Sequence, residues 1–392
     1  MDKPNHILYC YLQDDTVADL ITATEHRVFS VRDVVIKLAE PNSYRAIIVK
    51  SISMVADAIS LLKLVRRRYP ELARIIITGD ISAADRYAVA AVAHACLPEH
   101  SKPSDLRKAL DRSIKTEELV HNPELKRFTQ QLKRLPAMPA IVTELTAALE
   151  SKTASVHEIT SIIMQSPGIA AKVMQLVNSA YFGVRNAGSI TLEGAVNLIG
   201  ERELRDLVIT AQLFNLVPDN KHWQQFSAAK IQERSAFVSQ LAAKIAKAAG
   251  ASKDVISQSR LAGLLVDVGM LVLACENSER YTKIIDKAVV LKQPVYAVEK
   301  LELNTTHAHI GAALLDAWYL SPEIVHAVLF HHTPAGSGDD EFSVLTAVHV
   351  ADSLIPQVPV KSTHRAPSMD YLRAIGCSEQ LAEWKKLAIN ID

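Results

Sequence analysis

The chain has 392 residues, enough for two or three cores, since single domains mostly run about 100–200 residues. Hydrophobic residues make up 49% and charged residues 22%, the balance of an ordinary globular protein. A formal net charge of zero excludes the electrostatic footprint of a general nucleic-acid binder, and short basic runs such as Arg66-Arg67-Arg68 read as solvated helix faces.

Residues 5–115 alternate strand and helix signals. His6–Tyr11, Tyr44–Val49 and Ala73–Thr78 are short apolar runs of strand length. Between the last two, Ile59, Leu62 and Val65 recur at helical spacing, and Pro70 closes that helix. Strands alternating with helices predict a parallel sheet with both faces covered. Residues 116–135 read as a helical joint that starts at Thr116 and is interrupted at Asn122-Pro123. From Leu135 onward the pattern is helical almost throughout. Ser155-Val-His-Glu158 fits a capping box opening a helix through Met164. Ser235–Ala249 carries Val238, Leu241 and Ile245 on one face and stops at Gly250.

Cys10, Cys96, Cys275 and Cys377 lie far apart, form no CxxC and sit in apolar or helical contexts. Free buried thiols are expected, which suits a reducing, cytoplasmic compartment. The first residues are polar, and charge interrupts the longest apolar helices at Lys244, Lys247 and Asp267, so no signal segment or membrane span is expected.

Seven of the 14 histidines fall between His307 and His364. They include His307-Ala-His309, the pair His331-His332 and His349-Val-Ala-Asp352, with Val266-Asp267 upstream. This order resembles the HD superfamily of metal-dependent phosphohydrolases, where a His, a His-Asp pair, another His, a His-His pair and a final Asp surround metal ions. By that resemblance Val266 stands where the His of the His-Asp pair belongs, and Arg234 where the first His belongs. Asp267, His307, His331, His332 and Asp352 fill the remaining places. Valine has no lone pair for a metal, and guanidinium is a permanently charged donor. The resemblance therefore implies a degenerate site with no catalytic residues. The reading preferred is a structural hydrogen-bonded cluster in which Arg234 pairs with Asp267 or Asp352. A single residual metal on Asp267, His307, His331, His332 and Asp352 stays open, as does an anion or nucleotide sensor. His309, His326 and His349 read as surface or packing histidines.

Residues 130–355 resemble the HDOD domain, a bacterial relative of HD hydrolases. Leu135-Pro-Ala-Met-Pro139, Ile163–Ile169, Asn178-Ser-Ala-Tyr-Phe-Gly183, Ala195–Gly200, His307–Leu315, His331-His332-Thr-Pro334 and Val348–Asp352 carry the resemblance, in order. Asn178, Ser179, Tyr181 and Phe182 read first as a helix-ending turn with its aromatics packed inside; a recognition patch is the alternative. The N-terminal part is similar to a receiver domain. Thr78 and Lys102-Pro103 sit where receivers place a switch residue and a Lys-Pro, but Ser51 stands at the phosphoacceptor position. The acidic pair's place falls near Tyr11 and Leu12, with Asp14 and Asp15 out of register. A serine forms no acyl phosphate, and a cation is not held without carboxylates.

The fold expected is two-part: a receiver-like (flavodoxin-like) α/β parallel sheet at 1–115, a helical linker at 116–135, and an all-α HD/HDOD-like domain at 136–392. The last has an HD-like subdomain at about 220–355 and C-terminal helices to 392. The function expected is non-catalytic bacterial signal transduction, with no cofactor and with other signalling proteins as partners, without direct nucleic-acid or membrane binding. Receiver-like domains often dimerise, so the resemblance admits a homodimer. The alternative is a phosphohydrolase of HD type acting on a nucleotide or cyclic dinucleotide.

Overall fold

The computed structural model describes residues 6–12, 25–28, 30–40, 44–51, 55–79, 89, 92–122, 125, 144–145, 147–148, 155–165, 204, 208, 228–318, 320–355 and 366–389. Its N-terminal part is a five-stranded, wholly parallel sheet of order β2-β1-β3-β4-β5. The strands are β1 (His6–Tyr11), β2 (Glu25–Val28), β3 (Tyr44–Lys50), β4 (Ala73–Thr78) and β5 (Ala95–Pro98). With β1 placed between β2 and β3, this is the doubly wound order of flavodoxin-like folds.

Alternation along each strand builds two cores. Leu8, Cys10, Ile47, Val49 and Ile76 pack against Val34 and Leu38 of α1 (Val31–Ala39) and Leu61, Leu62 and Val65 of α2 (Val55–Arg68). On the opposite face, Ile7, Tyr9, Ile48, Ile75 and Ile77 pack against Leu106 and Leu110 of α3 (Pro103–Val120). The sequence predicts three strands where the sheet has five. The additional two are four-residue edge strands, Glu25–Val28 and Ala95–Pro98, too short and too polar or exposed to show a strand period.

Helix α3 differs from its expected start at Thr116. It begins at Pro103, a residue suited to the first helical position, and runs unbroken to Val120. Its first half closes the sheet core, whereas Val120 lies in the helical core. Two of the four free cysteines differ from the expected burial. Cys10 and Cys377 are buried, and burial, followed by the Asp33 charge, pushes the Cys10 thiol up to about 12. Cys96 is exposed because β5 is an edge strand, and Cys275 is half-buried.

Beyond residue 98 no strand occurs among the described residues. Helix α4 is Val156–Met164, where the Ser155 hydroxyl accepts from the Glu158 amide. The helical domain continues through α5 (Ala228–Ala248), α6 (Lys253–Leu265), α7 (Val268–Glu276), α8 (Ser278–Leu291) and α9 (Val295–Leu303). It ends with α10 (His307–Ala317), α11 (Pro322–Phe330), α12 (Val344–Leu354), α13 (Met369–Ala374) and α14 (Leu381–Ile389). Helix α5 packs on α6 and α12, α6 on α11 and α12, and α10 on α7 and α11. The stretch Lys253–Glu276 has the length and hydropathy of a membrane span but lies buried in this core.

Candidate functional site: an arginine-filled histidine and aspartate pocket

Six helices and their ends deliver the pocket. Arg234 projects from α5, Asp267 sits between α6 and α7, His307 opens α10, His331 and His332 follow α11, and Asp352 lies on α12. All are buried. Close approach of α7 to α10 makes this possible at Gly269, where an added Cβ would lie 2.0 Å from the His307 carbonyl oxygen. Only glycine lets the start of α7 press Asp267 toward His307.

Arg234 donates from Nη1 to Asp267 Oδ2 at 2.6 Å and from Nη2 to Asp352 Oδ1 at 2.6 Å. Nη2 also reaches the backbone oxygens of Asp352 (3.1 Å) and Ile355 (3.3 Å). The expectation paired Arg234 with Asp267 or Asp352; the guanidinium engages both. Burial alone would weaken its charge, but the Asp352 and Asp267 carboxylates outweigh that and raise its pKa. Burial likewise opposes the charge of Asp352, and Arg234 overrides it, lowering that carboxyl's pKa. Val266 is fully buried in the apolar core beside the pocket.

The imidazoles form a second tier. His307 Nδ1 donates to Glu299 Oε2 at 2.7 Å, which also accepts the His307 amide at 2.8 Å; Tyr281 donates to Glu299 Oε1 at 2.6 Å. His307 Nε2 lies 3.0 Å from His332 Nε2 and 3.7 Å from Asp267 Oδ1. Burial opposes protonation of His307, but Glu299 and both aspartates raise its pKa. Burial, then His331, His307 and Arg234, hold His332 well below its ordinary value. His331 Nδ1 donates to the Val328 carbonyl at 2.7 Å, which leaves Nε2 as a buried lone pair without a hydrogen-bond partner.

Glu299 and Tyr281 escape sequence reasoning. The one signal is a carboxylate at i+4 from Val295 on the apolar stripe of α9, where a charge is rare unless paired. Tyr296 stacks on His332, with ring centroids 4.3 Å apart. His349 does not ligate either. Its Nδ1 donates to the His331 carbonyl at 2.7 Å and its Nε2 accepts from the Ser368 amide at 2.9 Å, so it braces the pocket backbone. His309 is half-buried beside Thr306, and His326 is buried against α3.

The donor set does not fit the dinuclear centre of HD hydrolases. Asp267 and Asp352 each have an oxygen taken by a fixed cation, and Val266 supplies no electron pair. Two sets still converge: ligand nitrogens of His307, His331 and His332 lie within 4.8 Å of one another, and so do the donor atoms of Asp267, His331 and Asp352.

Ser51, Thr78 and Lys102 all lie toward the carboxyl edge of the sheet. Ser51 follows β3 and its amide donates to the Ile77 carbonyl at 2.9 Å; Thr78 ends β4; Lys102 precedes α3 and is exposed. The Ser51 and Thr78 hydroxyls are buried without hydrogen-bond partners. Tyr11 stacks on Tyr9 with centroids 4.6 Å apart, so the acidic pair's place holds a packed phenol. Asp14, Asp15, Asn178, Ser179, Tyr181 and Phe182 lie outside the described residues.

A parallel α/β sheet together with a bundle carrying this His and Asp frame defines a two-part protein with an HD-like helical domain. The family model of the HDOD domain matches residues 135–334, half of the chain, and the chain belongs to the HDOD family. An uncharacterized protein of Treponema pallidum (strain Nichols) is 25% identical over 255 residues, 62% of this chain. The chain spans about half of that protein's length (48%). The crystal structure of a candidate phosphohydrolase from Shewanella amazonensis SB2B is 22% identical, with TM-score 0.50, over 69% of this chain and 98% of that one. A candidate signal transduction protein from Marinobacter aquaeolei VT8 is 16% identical, with TM-score 0.52, over 84% of this chain and 82% of its own. At these identities the two structures show a shared fold.

Proposed function

We propose that this is a non-catalytic signal-transduction protein. A receiver-like unit at 1–115, lacking a phosphoacceptor, acts through the helix around 116–135 on an HDOD domain at 136–392 that binds other signalling proteins in the cytoplasm. One observation carries the reading: Arg234 neutralises Asp267 and Asp352 at 2.6 Å each, the carboxylates a hydrolytic metal centre would need. Ser51 at the phosphoacceptor position supports the same view of the other half. The test is metal analysis of the full chain purified without chelator, combined with phosphodiesterase assays on cyclic dinucleotides. The expected result is neither stoichiometric metal nor turnover. Bound metal with hydrolysis that disappears in His331→Ala would overturn it.

A second reading rests on the unpaired His331 Nε2 and its two imidazole neighbours. These favour a single ion, or an anion or nucleotide held beside Arg234, without two-metal chemistry. Calorimetric titration with cyclic dinucleotides separates the cases. Heat of binding without hydrolysis points to a sensor, and silence leaves protein partners, which co-purification from the native cell would identify.

A further inference from the structure

Helices α10 and α11 each have one end in the histidine pocket and the other against the sheet half. His307 opens α10 in the pocket, and Asp316 lies nine residues on, about 14 Å along the axis at 1.5 Å per residue. Helix α11 runs the opposite way: His326 lies at the sheet side, and His331 and His332 follow its last turn into the pocket.

The sheet-side ends meet α3 in a seam of buried charge. Arg66 of α2 donates to the Leu320 carbonyl at 2.9 Å and pairs with Asp316 at 3.3 Å. Asp316 pairs with His121 at 3.3 Å, His121 with Glu117 at 3.1 Å, and Glu117 with Arg74 of β4 at 3.8 Å and with His94. The signs alternate along Arg74, Glu117, His121, Asp316 and Arg66. One residue before Glu117 on α3, Thr116 shares a 2.8 Å hydrogen bond with His326 Nδ1, whose Nε2 donates to Asp339 at 3.0 Å; Arg112 pairs with Asp339 at 3.0 Å. Lys108 and Asp340 add an exposed pair.

We infer that this seam and the histidine pocket are two ends of one coupled unit, in which α10 and α11 carry the docking state of α3 to His307, His331 and His332. Two features make the transmission stiff. At the pocket end Gly269 sets α7 backbone against the His307 carbonyl, so α10 has no room to slide without moving Asp267. At the seam end Arg66, Arg74, Glu117 and Asp339 are buried, so a shifted α3 must either re-pair them or expose them to water. The inference goes beyond the proposed function, since a coupled pocket serves a sensor, an enzyme or a protein-binding domain alike.

The test uses the full chain with histidine labelled for NMR at fixed pH, in Asp316→Asn and His326→Gln. Amide exchange along α3 reports the seam, and the imidazole resonances of His307, His331 and His332 report the pocket. The expected result is exchange in the last turns of α3 faster by about tenfold together with displaced pocket resonances. Lys108→Gln, a seam change on neither helix, should leave those resonances in place. Coupling is reciprocal, so His331→Gln should speed exchange in α3. The inference is overturned if α3 loosens while the pocket stays silent, if neither seam substitution loosens α3, or if His331→Gln leaves α3 unchanged. None of these outcomes bears on metal content or turnover, so the non-catalytic reading stands or falls separately.

Discussion

Arg234 bonds Asp267 with one terminal nitrogen and Asp352 with the other, so a single guanidinium joins α5, the α6–α7 corner and α12. A lysine ammonium is a point charge on a flexible stem and cannot reproduce this planar fork. Removing the guanidinium leaves two carboxylates buried without compensation. Arg234→Ala is expected to lower stability by about 3–5 kcal/mol, and Arg234→Lys by less. Urea unfolding measures both. Millimolar guanidinium in the folded baseline should restore part of the Arg234→Ala midpoint, because the vacated space matches that ion. An Arg234→Ala protein as stable as the parent would show that the fork is not what holds the pocket.

Gly269 supports the pocket by what it lacks. Its ideal Cβ would lie 2.0 Å from the His307 oxygen and 2.8 Å from the Gly311 nitrogen, both backbone atoms that cannot rotate away. Gly269→Ala should therefore push α7 off α10, at a loss of at least the roughly 1–3 kcal/mol typical of overpacked cores. Gly250 offers the contrast, with φ +73 and nothing within 4 Å. Alanine there meets only the backbone penalty of a left-handed residue, about 1–2 kcal/mol. Thermal unfolding of the two variants should rank Gly269→Ala as the more damaging.

The fold was legible wherever burial writes a period into the sequence. Strands β1, β3 and β4 are interior and read as apolar runs, and Val238, Leu241 and Ile245 mark the buried face of α5. Edge strands β2 and β5 face solvent or are too short, so their residues carry no such mark. Arg234, Asp267 and Asp352 could be grouped because the family order places them, but no spacing reveals that one arginine meets both acids. Glu299 was hidden because its partners, Tyr281 and His307, lie 18 and eight residues away and are joined only by the tertiary fold. The α3 seam was hidden for the same reason. His326 and Thr116 are separated by 210 positions, and neither belongs to a motif.

Glu299 tests the second tier. Burial opposes its charge, yet His307 and Tyr281 outweigh that and lower its pKa. Glu299→Gln keeps the shape and one acceptor oxygen for His307, while the Tyr281 hydroxyl can rotate to accept from the new amide. Glu299→Ala leaves the Tyr281 hydroxyl and the His307 donors buried and unsatisfied. The expected losses are about 1–2 kcal/mol for Gln and about 3 kcal/mol or more for Ala. Chemical denaturation separates them, and equal losses would mean that the carboxylate acts by volume alone.

His121 gives the seam a signature in pH. Burial opposes its protonation, but Asp316 and Glu117 outweigh burial and raise it from 6.5 to about 9, while Arg66 and Arg74 flank the acids they share. A histidine raised on folding contributes stability that is fully present below about pH 6.5 and is lost as pH rises through about 9. Glu323 at the same seam is pushed by burial up to about 7, so its own unfavourable effect develops between about 4.5 and 7 and is constant above. His94 and His326 are lowered by burial and act below their ordinary range. The window between about pH 7 and 9 therefore belongs to His121 among these groups. With its side chain 25% exposed, solvent discounts the effect to about 1–3 kcal/mol. Urea midpoints should fall across this window more steeply in the parent than in His121→Gln, where the raised His307 still contributes its own slope; a parent curve no steeper than the variant's from pH 7 to 9 would remove His121 from the seam's charge ladder.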